Sequence, residues 1–153
     1  MENYFFENDF LNDFFKIIFL ADYFDVQYYR GKDINEFKLS LKQKDTKLYE
    51  DLCKIYDDLC LSSYDKIKQI YFEALQSYIN FKTILKKDIT IYNELYKSYE
   101  LSLDDLTISD DEIQKKEDEI QNIEDVIEIY MNESNILNYI IKIIEPLLKQ
   151  KNI

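Results

Sequence analysis

The sequence predicts an all-α protein, and three observations carry that reading. A single glycine (Gly31) and a single proline (Pro146) among 153 residues leave almost no material for tight turns or hairpins. Leu, Ile, Lys, Glu, Tyr and Phe instead supply amphipathic helices throughout. In the longest run with apolar residues at helical spacing, Ser63 to Leu103, Ile67, Ile70, Tyr71, Ala74, Leu75, Tyr78, Ile84, Leu85, Tyr92, Leu95, Tyr96 and Tyr99 recur at three- and four-residue steps. A chain of this length fits one domain, residues 1–153, and buries about 70% of its unfolded surface around a single core.

The first helix is expected from about Asn8 to Arg30, with Gly31 as the residue just past its end. It is apolar nearly all round. One stripe holds Leu11, Phe15, Ile18 and Asp22; another holds Phe10, Phe14, Ile17, Ala21, Phe24 and Tyr28. One stripe satisfies a core, so the second must be covered by another helix of the same chain or by another chain. Phe10, Phe14, Ile17 and Phe24 are therefore the candidate face for a homodimer or a partner. A short segment with Ile34, Phe37 and Leu41 follows, and then a polar break around Asp45-Thr46.

The next helix carries Leu48, Tyr49, Leu52, Tyr56, Leu59 and Cys60 on one side and should end near Leu61-Ser62. On it Cys53 and Cys60 would share a face about 10 Å apart, beyond the roughly 7 Å between α-carbons that a disulfide spans. Reduced core cysteines are the reading, since a metal pair lacks a histidine or third thiol. Ser63 then serves as an N-cap. Lys86-Lys87-Asp88 and the β-branched run Ile89-Thr90-Ile91 predict an interruption, giving two or three consecutive helices, the last capped by Asp88 and reaching about Leu103. That last helix is expected in the middle of a bundle, among its most enclosed elements.

From Glu100 to Glu133 the charge changes sharply. Thirteen acids face only Lys115 and Lys116, a net of −11 within a chain total of −12. Ser109-Asp110-Asp111-Glu112 is a capping box, after which Ile113, Ile120, Ile123, Ile127 and Tyr130 form a narrow apolar stripe. Asp110, Asp111, Glu117, Asp118, Glu124 and Asp125 are the candidate acidic docking face. Three readings stay open for it: a solvated surface, docking to a basic partner, or nucleic-acid mimicry. Asn132-Glu133-Ser134 reads as a helix-to-helix turn. The final helix, with Ile136, Leu137, Ile140, Ile141, Ile144 and Leu147, should be largely buried and kinked or ended near Pro146.

Several function classes are poorly supplied. Met1-Glu2-Asn3 offers no basic start for a signal peptide, and residues 136–148 fall short of the roughly 20 apolar residues a membrane span needs. A soluble, intracellular protein without membrane contact is expected. With no histidine, no Gly-rich phosphate loop and no Ser or Cys beside an evident base, no enzyme, catalytic residue, metal or cofactor is expected. One arginine (Arg30) in a strongly negative field makes nucleic-acid binding repulsive.

Two segments carry a family resemblance: Leu48 to Tyr71, LYEDLCKIYDDLCLSSYDKIKQIY, and Glu124 to Gln150, EDVIEIYMNESNILNYIIKIIEPLLKQ, with Tyr78-Ile79-Asn80-Phe81 between them. They resemble the second-to-third and sixth-to-seventh helices of the poxviral Bcl-2-like proteins, the vaccinia-type inhibitors of host innate signalling. The resemblance implies a compact, non-enzymatic bundle of about seven Bcl-2-like helices in the host cell cytoplasm, with Asp88 to Leu103 as the central fifth. It implies inhibition of NF-κB and interferon-regulatory signalling through a host kinase or adaptor, or, alternatively, inhibition of apoptosis by holding death-motif helices. For the latter the candidate groove is Leu52, Tyr56, Tyr92 and Tyr96. No Asn-Trp-Gly-Arg motif stands at Tyr99-Glu100-Leu101, and no arginine is near to pair with a ligand aspartate, so death-motif peptides should bind weakly or not at all. An acidic helical immunity protein or nucleic-acid mimic is the reading from a different class.

Overall fold

The computed structural model describes residues 6–24, 39, 42, 43 and 45–151. Among them four helices have described bounds, α1 (Asp9–Phe24), α2 (Thr46–Leu61), α3 (Tyr64–Leu103) and α4 (Asp110–Lys151); residues 39, 42 and 43 are helical as well, and no strand is found. The chain divides into two compact units. The first comprises Met1–Tyr78 with Asn135–Ile153, and the second comprises Ile79–Ser134.

The first unit is built on capped helix starts and closely enclosed aliphatic side chains. Asn8 begins α1, its Oδ1 accepting from the Leu11 N–H at 3.0 Å and its carbonyl from Asn12 N–H at 3.1 Å. Asn12 holds the preceding chain in place: it donates to the Phe6 carbonyl at 2.7 Å and accepts from the Phe6 N–H at 3.1 Å, both buried. The Glu73 carboxylate of α3 accepts from the backbone N–H groups of Glu7 and Asn8, the negative charge lying where the start of α1 is positive. Leu11, Phe14, Phe15 and Ile18 then form the enclosed side of α1, which packs against α2. Their i, i+3, i+4, i+7 spacing makes one face that takes members from both expected stripes.

Asp45 caps α2 from an extended conformation, φ −147° and ψ 96°, through an Oδ1 bond to the Leu48 N–H at 3.1 Å. The helix ends at Leu61 with Ser62 extended beyond it, where the sequence places the stop. Ser63 caps α3, its Oγ accepting from the Lys66 N–H at 3.2 Å. Leu52 and Leu59 of α2, Ile67, Ile70 and Ala74 of α3, and Leu137, Ile140 and Ile144 of α4 have no exposed surface. Each such aliphatic side chain larger than alanine contributes roughly 1.5–3 kcal/mol by leaving water.

The second unit is a hairpin. Residues 79–103 of α3 and 110–134 of α4 run antiparallel, as the pairs Phe81–Tyr130, Tyr92–Glu124 and Tyr99–Glu117 show. Along residues 79–103 of α3, Phe81, Leu85, Asp88, Tyr92, Leu95, Tyr99 and Ser102 are less exposed and step alternately by four and three, with Ser98 also half-buried beside them. Those of α4 from its start to Tyr130 are Ile113, Lys116, Ile120, Ile123, Ile127 and Tyr130, with the same alternation, before Asn132, Glu133 and Ser134 end it. This is the 3.5-residue repeat that keeps one narrow seam of each helix turned to its neighbour. The helices are joined by residues 104–109. There the Asp105 carboxylate accepts from both the N–H (2.9 Å) and the hydroxyl (2.6 Å) of Thr107, and Ser109 Oγ accepts from the Glu112 N–H at 3.3 Å to start α4.

Four expectations need correction. α3 is one helix of 40 residues, so Lys86-Lys87-Asp88 and Ile89-Thr90-Ile91 do not divide it. β-Branching alone costs a fraction of a kcal/mol per residue, too little to end a helix fastened on both sides. The Thr90 hydroxyl donates to the Lys86 carbonyl at 3.0 Å, as a helical threonine can, and Asp88 is an interior residue rather than a cap. Residues 88–103 are also not an enclosed element. Only Ser102 among them is buried, because each helix of the hairpin turns one seam to the other. Asn132-Glu133-Ser134 is not a turn but lies inside α4, and of the two outcomes expected at Pro146, a kink or an end, the end is excluded: the helix carries Pro146 inside it and continues to Lys151, with Lys149 and Lys151 in its last turn. The final helix is largely buried, as expected, but as the second half of α4. The remainder of the first helix to Arg30, and Ile34, Phe37 and Leu41, lie outside the described residues.

Candidate functional site

The second unit concentrates what is unusual on the surface. Of fourteen large apolar side chains exposed among the described residues, eleven belong to residues 79–134. The same stretch carries fifteen acids against six lysines, a net of −9. Apolar and acidic groups are thus displayed together on a two-helix support.

Tyrosines organise one flank of the hairpin. The Tyr92 hydroxyl donates to Glu124 Oε1 at 3.1 Å, and the Tyr99 hydroxyl donates to Glu117 Oε1 at 2.8 Å. Those two hydrogen bonds hold each phenol above its ordinary pKa, since the neutral donor is the form the carboxylate favours. The Tyr96 ring stacks on Tyr92 at 5.9 Å and leans on Tyr99 at 6.2 Å, so it lies on this flank too. On the opposite flank the Lys116 ammonium donates to Ser98 Oγ at 2.8 Å. In the first unit Tyr71 makes a longer contact to Glu145 Oε1, 3.4 Å; burial is the main cause of its raised pKa and that carboxylate adds to it.

The candidate residues fall as follows. All six members of the acidic face are exposed. Glu117 and Glu124 are engaged by tyrosines, while Asp118 and Asp125 accept from Gln114 and Gln121 one turn earlier, at 3.0 and 2.9 Å. Asp110 and Asp111 occupy the first turn of α4, where the helix dipole favours them. The partner face on α1 is not an open stripe: Phe14 is fully enclosed, Phe10 and Ile17 are half-buried, and the Lys66 ammonium sits 5.5 Å above the Phe10 ring. Phe14 is drawn inward because it lies between Leu11 and Ile18 on the enclosed face; the side chain of Phe24 lies outside the described residues. Of the groove candidates, Leu52 is fully enclosed and Tyr56 half-buried in the first unit, whereas Tyr92 and Tyr96 belong to the second.

Cys53 and Cys60 are free and half-buried rather than sealed in the core. Tyr49 shares a hydrogen bond with Cys53, the chief cause of its raised pKa; Tyr56 is raised first by burial and then by Cys60. Among the described residues no group of three or more His, Cys, Asp or Glu side chains could hold a metal ion, and no helix is long and apolar enough to cross a membrane.

Three further features of the structure lie beyond the candidate residues taken one by one. The tyrosine–glutamate pairs were signalled by sevenfold spacing, Tyr92 and Tyr99 against Glu117 and Glu124. The repeat YEDLC-KI-YDDLC, which sets each cysteine four residues after a tyrosine, was visible as a repeat. Glu133 is the third: it is 3% exposed, its Oε2 has no hydrogen-bond partner, and burial raises its pKa. Nothing in the sequence marks it apart from the surface acids around it. Comparison with known protein families, characterised proteins and solved structures finds no match for this chain.

Proposed function

We propose that the protein acts by protein–protein contact through its second unit, as a non-enzymatic binding module. The observation that carries this reading is the placement of eleven of the fourteen exposed large apolar side chains on a helical hairpin of net charge −9. A small unit that leaves this many large apolar side chains in water, interspersed with acids, offers apolar area that a partner protein could cover.

The narrower form of the proposal follows the sequence resemblance stated above. In that form the partner is a kinase or adaptor of host innate signalling, and contact with it in the host cytoplasm lowers NF-κB or interferon-regulatory output. Its support is the two resembling segments alone. The seven-helix Bcl-2-like arrangement would need α3 and α4 to be divided, and each is one helix. Affinity capture from transfected mammalian cells, paired with an NF-κB reporter, tests both levels. Captured signalling proteins with reporter inhibition support the narrow form. Capture without inhibition supports the binding module alone, and no specific capture removes both.

A further inference from the structure

Resting on the binding-module reading, we infer that the flank of the hairpin bearing Ile89, Tyr96 and Leu103 is a docking surface for a basic amphipathic helix. The three residues stand seven apart on α3, so they fall on one side of the helix and span about 21 Å at 1.5 Å per residue. They are 44%, 42% and 52% exposed. On α4 the neighbouring row is Glu117, Glu124 and Met131, again seven apart. The two rows border each other, because Tyr92 and Tyr99, which contact the Tyr96 ring, donate to Glu124 and Glu117.

The surface therefore has an apolar rail on one helix and an acidic rail, ending in a half-exposed methionine, on the other. A helix with apolar residues at i, i+3, i+4 and i+7 would lay them along the first rail, and lysines or arginines on its edge would meet the second. Charge chooses among occupants. A second copy brings −9 against −9, and anionic nucleic acid or lipid meets the same field; a cationic helix gains from it. About four turns match the length of the rail.

The test uses the full chain and three fluorescein-labelled 18-residue peptides. The first is an amphipathic leucine–lysine helix, the second has the same composition with its leucines scattered round the helix, and the third replaces lysine with glutamate. Anisotropy titrations should show the first binding at least tenfold tighter than the second, and the third not at all. Ile89→Ser/Leu103→Ser should abolish the preference of the first over the second while leaving their weak, salt-sensitive binding. Glu117→Gln/Glu124→Gln should weaken both cationic peptides. All four positions are exposed, and circular dichroism checks that helix content is kept.

Equal affinity for the two cationic peptides, or a preference unchanged in Ile89→Ser/Leu103→Ser, overturns the inference. So does a wild-type dimer in sedimentation that this double variant dissolves, since the flank would then serve a second copy. Cellular partners retained by the double variant would also overturn it while leaving the binding-module reading intact. A wild type that captures no partner removes that reading without altering the peptide result.

Discussion

α3 passes through two environments, and its two parts behave differently on the same periodic pattern. In residues 64–78, Ile67, Ile70 and Ala74 are wholly enclosed. In residues 79–103, where apolar side chains are as regular, only Phe81, Leu85 and Ser102 are buried, and Ile89, Ile91, Tyr96, Leu101 and Leu103 stand in solvent. Helical spacing says which side chains can meet a neighbour. It does not say how many neighbours there are. The first unit has parts of four helices to share, the second parts of two.

The largest effect should come from cutting into the first unit. Ile140→Ala removes a fully enclosed side chain and is expected to cost 2–5 kcal/mol, whereas Ile129→Ala, at a 55% exposed position of the second unit, should stay within about 0.5 kcal/mol. Urea denaturation of the two variants measures the contrast directly; similar costs would erase the distinction drawn between the units.

Next in size is a helix breaker at the expected interruption. Thr90→Pro removes a backbone donor and inserts a ring inside α3, and should cost about 3 kcal/mol with a loss of helix content by circular dichroism. Tolerance of that proline would mean that residues 86–91 form a break after all.

Glu133 supplies a smaller effect of opposite sign. Its carboxyl is raised by burial, so folding favours the protonated form. The contribution favourable to folding is fully present below the ordinary carboxylate pKa and is lost as pH rises through the raised folded value. Glu133→Gln should therefore be more stable than wild type at pH 7, and the gap should close as pH falls through that window. Thermal melts at several pH values read both parts, and an invariant gap would show that the charge of Glu133 is not what matters.

The smallest expected effect is on the tyrosine flank. Tyr92 and Tyr99 have raised phenol pKa values, so their contribution holds below the ordinary tyrosine value near 10 and disappears as pH rises through the raised one. Tyr92→Phe/Tyr99→Phe should lower stability slightly at neutral pH and remove this part of the alkaline loss. Absorbance at the phenolate band, followed against pH in wild type and the double variant, assigns the late-titrating groups.

Much of the fold was legible where local chemistry decides it. The caps at Ser63 and Ser109, the stop near Leu61-Ser62 and the isoleucine stripe of α4 each depend on residues within a turn or two. The break expected at 86–91 failed because charge pairs and β-branching are weak signals set against a helix fastened on either side. The candidate face on α1 shows a different limit: Phe10 and Phe14 look alike in sequence, and only the position of α2 and α3 turns one inward and leaves the other beneath Lys66. Glu133 was hidden because burial of an acid is decided by what packs over it, which neighbouring residues in sequence do not reveal.

The interleaved order of the units also sets an order of events. Residues 79–134 are contiguous, while the first unit joins residues 1–78 to 135–153 across them. Zipping the hairpin from the 104–109 loop closes a short connection, and with 79–134 paired the two stretches of the first unit need no longer search across a free loop of 56 residues. At (3/2)RT ln n, shortening that loop to the six residues at the tip saves roughly 2 kcal/mol of chain entropy. The hairpin, rich in near-neighbour contacts, should thus form early, and the enclosed first unit should condense after it. In stopped-flow refolding, probes in the two units would report two phases in that order. A change at the tip, such as Asp105→Ala, would slow the first phase and, through it, the assembly of residues far from the substitution.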